Sequence, residues 1–129
     1  MPNLYLIMNH RLTEEQKQDA HSSMRVECIV EMPEDLKELW SQVPADLREI
    51  RAFLEPIRKW LQGIASPDDY VLVQGDFGAC CLLVNFVSKR RMIPVYSTTS
   101  REAVEVHHED GSVELTHRFR HRMFRRYGL

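Results

Sequence analysis

The sequence predicts a doubly wound α/β fold: a mainly parallel sheet of order 2-1-3-4, helices on both faces and a C-terminal β-hairpin. Three observations carry that expectation. Short apolar runs alternate with longer amphipathic stretches, as strands do with helical crossovers. The run Tyr70-Val71-Leu72-Val73 stops at Gln74-Gly75-Asp76-Phe77-Gly78, and the apolar run Ala79 to Val87 begins just after it. That pattern reads as a buried strand, a glycine-bracketed turn and a helix start. Finally, Val104 and Val106, then Val113 and Leu115, alternate with polar residues around Asp110-Gly111, a hairpin signal.

Taken in order, Leu4 to Met8 is a five-residue apolar run that suits a central strand. Thr13-Glu14-Glu15-Gln16 is a capping box, opening a helix that runs to about Ser22. Val26 to Val30 is the second strand. Pro33-Glu34-Asp35 starts a helix carrying Leu36, Leu39 and Trp40, with proline and acids suited to its first turn. Leu47, Ile50, Leu54, Ile57, Leu61 and Ile64 recur at helical spacing after Pro44. Pro56 lacks the N–H that Ala52 would accept, so a kink or break is expected there. Ser66 to Asp69 turns into the third strand, Tyr70 to Val73. Ile93 to Tyr96 is the fourth, and Ser97 to Arg101 reads as the loop after it. The alternation Arg118-Phe119-Arg120 suggests a further strand; the rest of Phe119 to Tyr127 has no assignable pattern. The expected organisation is a single domain over 1–129, with 102–129 as a hairpin and basic tail extension.

At 129 residues the chain can bury a real core, and 43% hydrophobic against 28% charged residues is ordinary globular usage. No apolar run approaches the ~20 residues of a membrane helix. The N-terminus shows no basic leader or cleavage site, and Cys28, Cys80 and Cys81 read as reduced thiols, so a cytoplasmic location is expected. The net charge of −2 is uneven. Residues 110–129 hold five Arg against two acids, on a body where acids outnumber bases. A basic end on an acidic body suits an anionic ligand or an acidic partner surface, or a tail docked on its own domain.

In a sheet of this order the winding reverses between the first and third strands, and ligands bind outside the carboxyl ends there. Three loops meet at that edge: Asn9-His10-Arg11, Gln74 to Gly78, and Ser97-Thr98-Thr99-Ser100-Arg101. Cations, hydroxyls and free backbone N–H groups together suit phosphate. There is no Gly-x-Gly-x-x-Gly and no Walker loop, so neither a dinucleotide cofactor nor ATP is indicated. Asp76 is the one loop carboxylate, too few for a magnesium site, and no Cys/His spacing resembles a zinc site. Each residue has a plainer role. His10 can cap its loop, Arg11 can be a surface charge, and Asp76 can cap the following helix. The four hydroxyl residues can bond their own turn.

Met8 to Gln16, Tyr70 to Gly78, Ile93 to Arg101, and Phe119-Arg120-His121 with Phe124-Arg125-Arg126-Tyr127 occur in the same order in a small CRISPR-associated family that this chain resembles. That family accompanies type III CRISPR systems and belongs to the ring nucleases. The resemblance implies a Rossmann-like fold, a homodimer, and metal-independent cleavage of cyclic tetra-adenylate, with binding alone as the alternative. It implies no cofactor and no metal, and neither a membrane nor DNA as partner. The site roles rest on loop geometry. His10 would accept the ribose 2′-hydroxyl proton, since an imidazole with a reference pKa of about 6.5 suits that task. Arg11, Asp76 and Arg101 complete the expected catalytic set. Asn9, Gln74, Gly75, Phe77, Gly78, Ser97, Thr98, Thr99 and Ser100 are the expected ligand contacts.

Overall fold

The computed structural model describes residues 1–129. Its elements are β1 (Leu4–Ile7), α1 (Glu14–Ser23), β2 (Ile29–Glu31), α2 (Glu34–Ser41), α3 (Glu55–Ile64), β3 (Tyr70–Val73), α4 (Phe77–Lys89), β4 (Ile93–His107) and β5 (Val113–Arg126). They form an α/β protein with one five-stranded mixed sheet of order 2-1-3-4-5. β2, β1, β3 and β4 are mutually parallel, and β5 runs antiparallel beside β4.

Successive side chains of a strand point to opposite faces, and here both faces are covered. Tyr5, Ile7, Val71 and Val73 pack with residues of α2, α3 and α4, including Trp40, Ile57, Leu61 and Leu83. Leu4, Leu6, Leu72 and Val95 pack with Ala20 of α1 on the other face. Crossover handedness accounts for this division. The chain steps one way from β1 to β2 and the other way from β2 through β3 to β4. Right-handed connections therefore put α1 on one face and α2, α3 and α4 on the other.

At the amino ends, the buried carboxylate of Asp69 accepts the backbone N–H of Asn3 at 2.9 Å and of Ser66 at 2.8 Å. A buried carboxylate is tolerated when its oxygens are satisfied in this way, and the bonds join the starts of β1 and β3. At the carboxyl ends, the Tyr127 hydroxyl donates to the Val73 carbonyl, tying the end of β5 to β3. Burial is the largest influence on this phenol, with Cys80 and Tyr96 adding to it, and its pKa is pushed up to about 12.

Three sequence expectations change. The second strand is shorter and later than Val26 to Val30. Arg25 adopts a positive φ of 55°, and Val26 turns into the core beside α1 instead of pairing. The helical stretch from Pro44 forms only from Glu55, and residues 45–53 are mostly turns. Pro56 sits in the first turn of α3, and the Ala52 carbonyl takes the Glu55 N–H at 3.3 Å. The expected break is there, but the turns before it are not a helix. Finally, Ser97 to Arg101 is no loop. It is the middle of β4, and the hairpin strands run from Ile93 to Arg126.

Candidate functional site at the carboxyl edge of the sheet

Ile7 pairs with Val73, so the segments after β1 and β3 leave the sheet side by side. The first turns toward α1 and the second toward α4, on opposite faces, which opens a crevice between them. Asn9, His10 and Arg11 are all exposed at its lip. Asp76 caps α4, its carboxylate accepting the Ala79 N–H at 3.0 Å. Phe77 follows with 95% of its surface exposed, and Gly78 lies beside it in the first turn. An aromatic left this bare has no core to serve.

Gly75 is required by packing. The indole N–H of Trp40 donates to the Gln74 carbonyl at 2.9 Å, which draws the ring against the turn. A Cβ at position 75 would stand 2.7 Å from Trp40 Nε1 and 2.9 Å from two ring carbons. Trp40 is a buried core residue and has little freedom to retreat. Gly75→Ala is therefore expected to destabilise the fold by about 1–3 kcal/mol, the usual range for overpacking. Denaturant unfolding checks this, and an unchanged midpoint would show that the indole moves aside.

Beyond Val95, β4 has no partner on the β3 side, because β3 ends at Val73. The Gln74 carboxamide oxygen fills the gap by accepting the Ser97 N–H at 2.9 Å. Gln74 and Ser97 are thus brought together. Thr98 is spent on structure: its Oγ1 accepts the Met123 N–H and donates to the Met123 carbonyl, both at 3.2 Å, beside an irregularity at Thr98/Thr99. Thr99, Ser100 and Arg101 pair with His121, Arg120 and Phe119 and lead away from the edge. At roughly 3.3 Å per strand residue, Arg101 is about 13 Å beyond Ser97.

Ser97 carries a network that the sequence did not suggest. Its Oγ lies 2.6 Å from His121 Nδ1, and His121 Nε2 lies 2.6 Å from Asp19 Oδ2. Gln16 Nε2 donates to the same Oγ at 3.3 Å. The His121 side chain is 4% exposed and its ring packs on Phe124 at 4.6 Å. Desolvation raises the Asp19 carboxyl, yet hydrogen bonds from Ser23 and His121 outweigh it and hold the group below its usual range. The three residues come from α1, β4 and β5, so no local motif could announce them.

The turns at 45–53 bring two further cations to this edge. A groove of about 620 Å³ is lined by Val43, Leu47, Ile50, Arg48, Glu49 and Arg51 on one side and by Asp76, Gly78 and Cys81 on the other. Arg11, by contrast, lines a separate groove of about 500 Å³ with Lys17, His21 and Glu31, on the α1 face. The cations flanking the edge therefore fall on both sides of the sheet.

These features define a class: an α/β protein whose mainly parallel sheet opens a cation-flanked crevice at its carboxyl edge. The chain belongs to the Uncharacterized protein MJ1673 family, whose model matches residues 2–125. A relative from Methanocaldococcus jannaschii, Uncharacterized protein MJ1673, is 42% identical over 127 residues, 98% of each chain. No solved structure matches the chain. No helix is long and apolar enough to cross a membrane.

Proposed function

We propose that the protein is a Rossmann-like, metal-independent ring nuclease that opens cyclic tetra-adenylate and so ends type III CRISPR signalling. The observation that carries this reading is the groove at the start of α4, with Arg48 and Arg51 among the residues that line it, beside Glu49 and Asp76, and with the bare Phe77 standing between Asp76 and Gly78 in the chain. Phosphates suit the arginines and the N–H groups at the head of α4. Adenine suits the Phe77 ring, since base stacking on an aromatic contributes about 1–3 kcal/mol. His10 accepts the 2′-hydroxyl proton from the adjoining strand end, and Arg11 balances phosphate charge from the other face. The attacking 2′-oxygen belongs to the substrate, so positioning carries much of the barrier, up to ~7–11 kcal/mol in well-oriented systems. The product is a linear adenylate ending in a 2′,3′-cyclic phosphate. The working unit is a cytoplasmic homodimer, in which two copies of one edge face a symmetric ring.

Labelled cyclic tetra-adenylate incubated with the protein in excess EDTA tests the reading. The expected result is a linear 2′,3′-cyclic phosphate product, formed at the same rate with or without chelator. A ring bound but left intact would make the protein a buffer or sensor. A ring neither bound nor cut would remove the reading altogether, and a strict need for added divalent metal would remove the mechanism.

A further inference from the structure

Opening a ring by 2′-hydroxyl attack needs two proton transfers, one off the 2′-oxygen and one onto the departing 5′-oxygen. His10 is proposed for the first, and Asp76, the one carboxylate of the edge loops, is engaged in capping α4. Ser97, His121 and Asp19 meet that need. Ser97 lies at the same edge, its N–H held by Gln74 from the turn before α4. His121 behind it is buried, with both ring nitrogens occupied at 2.6 Å.

A serine hydroxyl has one proton and two lone pairs. When His121 is neutral with its proton on Nε2, that N–H donates to Asp19 and Nδ1 accepts the Ser97 proton. When His121 is charged, both N–H groups donate. Ser97 Oγ then accepts from Nδ1–H and from Gln16 Nε2–H, which occupies both lone pairs and leaves its own proton on a long bond to the Thr98 carbonyl at 3.4 Å, from which a substrate oxygen can draw it. The charge on the ring thus sets whether Ser97 presents a proton or withdraws it. Asp19, held ionised, accepts the Nε2–H in both states.

We propose that Asp19, His121 and Ser97 form a proton relay that protonates the 5′-oxygen as the phosphodiester breaks, an inference that rests on the ring-opening reading. The 2′-oxygen attacks phosphorus and the P–O5′ bond breaks. The electron pair on O5′ takes the Ser97 proton, Ser97 Oγ takes the Nδ1 proton of His121, and His121 is left neutral against Asp19. Ser97 touches the leaving oxygen; His121 and Asp19 act through it and are positioning residues.

The test compares two rings under single-turnover conditions: cyclic tetra-adenylate and the same ring with one 5′-bridging sulfur. A thiolate leaves without a proton, its reference pKa being about 8.5. Ser97→Ala is expected to slow the natural ring roughly 10²-fold, in the usual range for a lost acid, and the sulfur linkage less than tenfold. His121→Gln should show the same split, whereas Ser97→Thr, which keeps the hydroxyl, should stay near wild type on both. Each variant's melting temperature is measured alongside, and if Ser97→Ala is unfolded at assay temperature, His121→Gln carries the comparison. Equal losses on both linkages, or none on either, would overturn the relay and leave the network as an anchor between α1 and the hairpin. A wild-type protein that leaves both rings intact removes the ring-opening reading itself, and the relay with it.

Discussion

His10→Ala is expected to lower single-turnover cleavage of cyclic tetra-adenylate by roughly 10²–10⁴-fold, the range for loss of a general base, with a far smaller change in affinity. The position makes the result easy to read. His10 is exposed on the segment after β1, outside both core clusters, and its ring makes no hydrogen bond within the chain. Its removal should therefore leave the melting temperature within a degree or two, since exposed substitutions of this kind usually change stability by less than ~0.5 kcal/mol. Activity falling with stability intact separates chemistry from folding. Wild-type turnover in this variant would make His10 a bystander and leave the first proton transfer unassigned. Should affinity and rate fall together, His10 would be a ground-state contact, its imidazole serving as a phosphate donor.

What the sequence disclosed and what it concealed divide along a physical line. Local signals were legible. The capping box at Thr13 forms as read, with the Thr13 hydroxyl accepting from Gln16 N and the Gln16 side chain from Thr13 N. Asp76 caps α4, and the apolar runs at Leu4 and Tyr70 are the two central strands. The order β2-β1-β3-β4 followed from handedness and adjacency alone. Signals that depend on a distant partner were hidden. Ser97 to Arg101 carries no hydrophobic alternation because no strand flanks it on the β3 side and part of it faces solvent. What makes it a strand is β5, some twenty residues further on. The turns at 45–53 matched a helical period, yet Leu47 is half exposed and Ile50 only partly covered, so too little apolar surface is buried to sustain a helix there. Ser97 was an expected ligand contact, but its link to His121 and Asp19 was not legible, because separations of 102 and 24 residues leave no pattern.

In the proposed homodimer, reversing the charges at one end of the β4–β5 hairpin is expected to abolish dimerisation, and reversing the opposite end in a second chain to restore it between the two. Past Ser97 these strands pair only with each other, and a two-stranded ribbon is marginal alone in water. The register places Val113, Leu115 and Phe119 on one face with Ala103, among Arg101, Glu105, His107 and His117, and the first three are 56%, 61% and 70% exposed. Such a stripe favours a cover. Charge favours a second copy as that cover. From Glu102 to His117 there are five acids and no Lys or Arg, and from Arg118 to Arg126 five arginines and no acid. Two such arms laid antiparallel about a twofold axis would set each acidic tip against the other's basic base. Replacing Glu105, Glu109 and Glu114 by Lys gives a basic tip facing a basic base, and this variant should be monomeric by light scattering. Replacing Arg118, Arg122 and Arg126 by Glu gives two acidic ends, and it too should be monomeric. Like charges placed opposite each other across an interface cost several kcal/mol, enough to dissociate a dimer held by a narrow stripe. Mixed one to one, the two variants meet with opposite charges at both ends and should form a heterodimer. Cleavage of the ring should vanish in each variant alone and return in the mixture. Two variants that stay dimeric on their own would place the subunit contact elsewhere. Two monomers that fail to recover on mixing would show that these charges maintain the arm itself and make no contact with a partner.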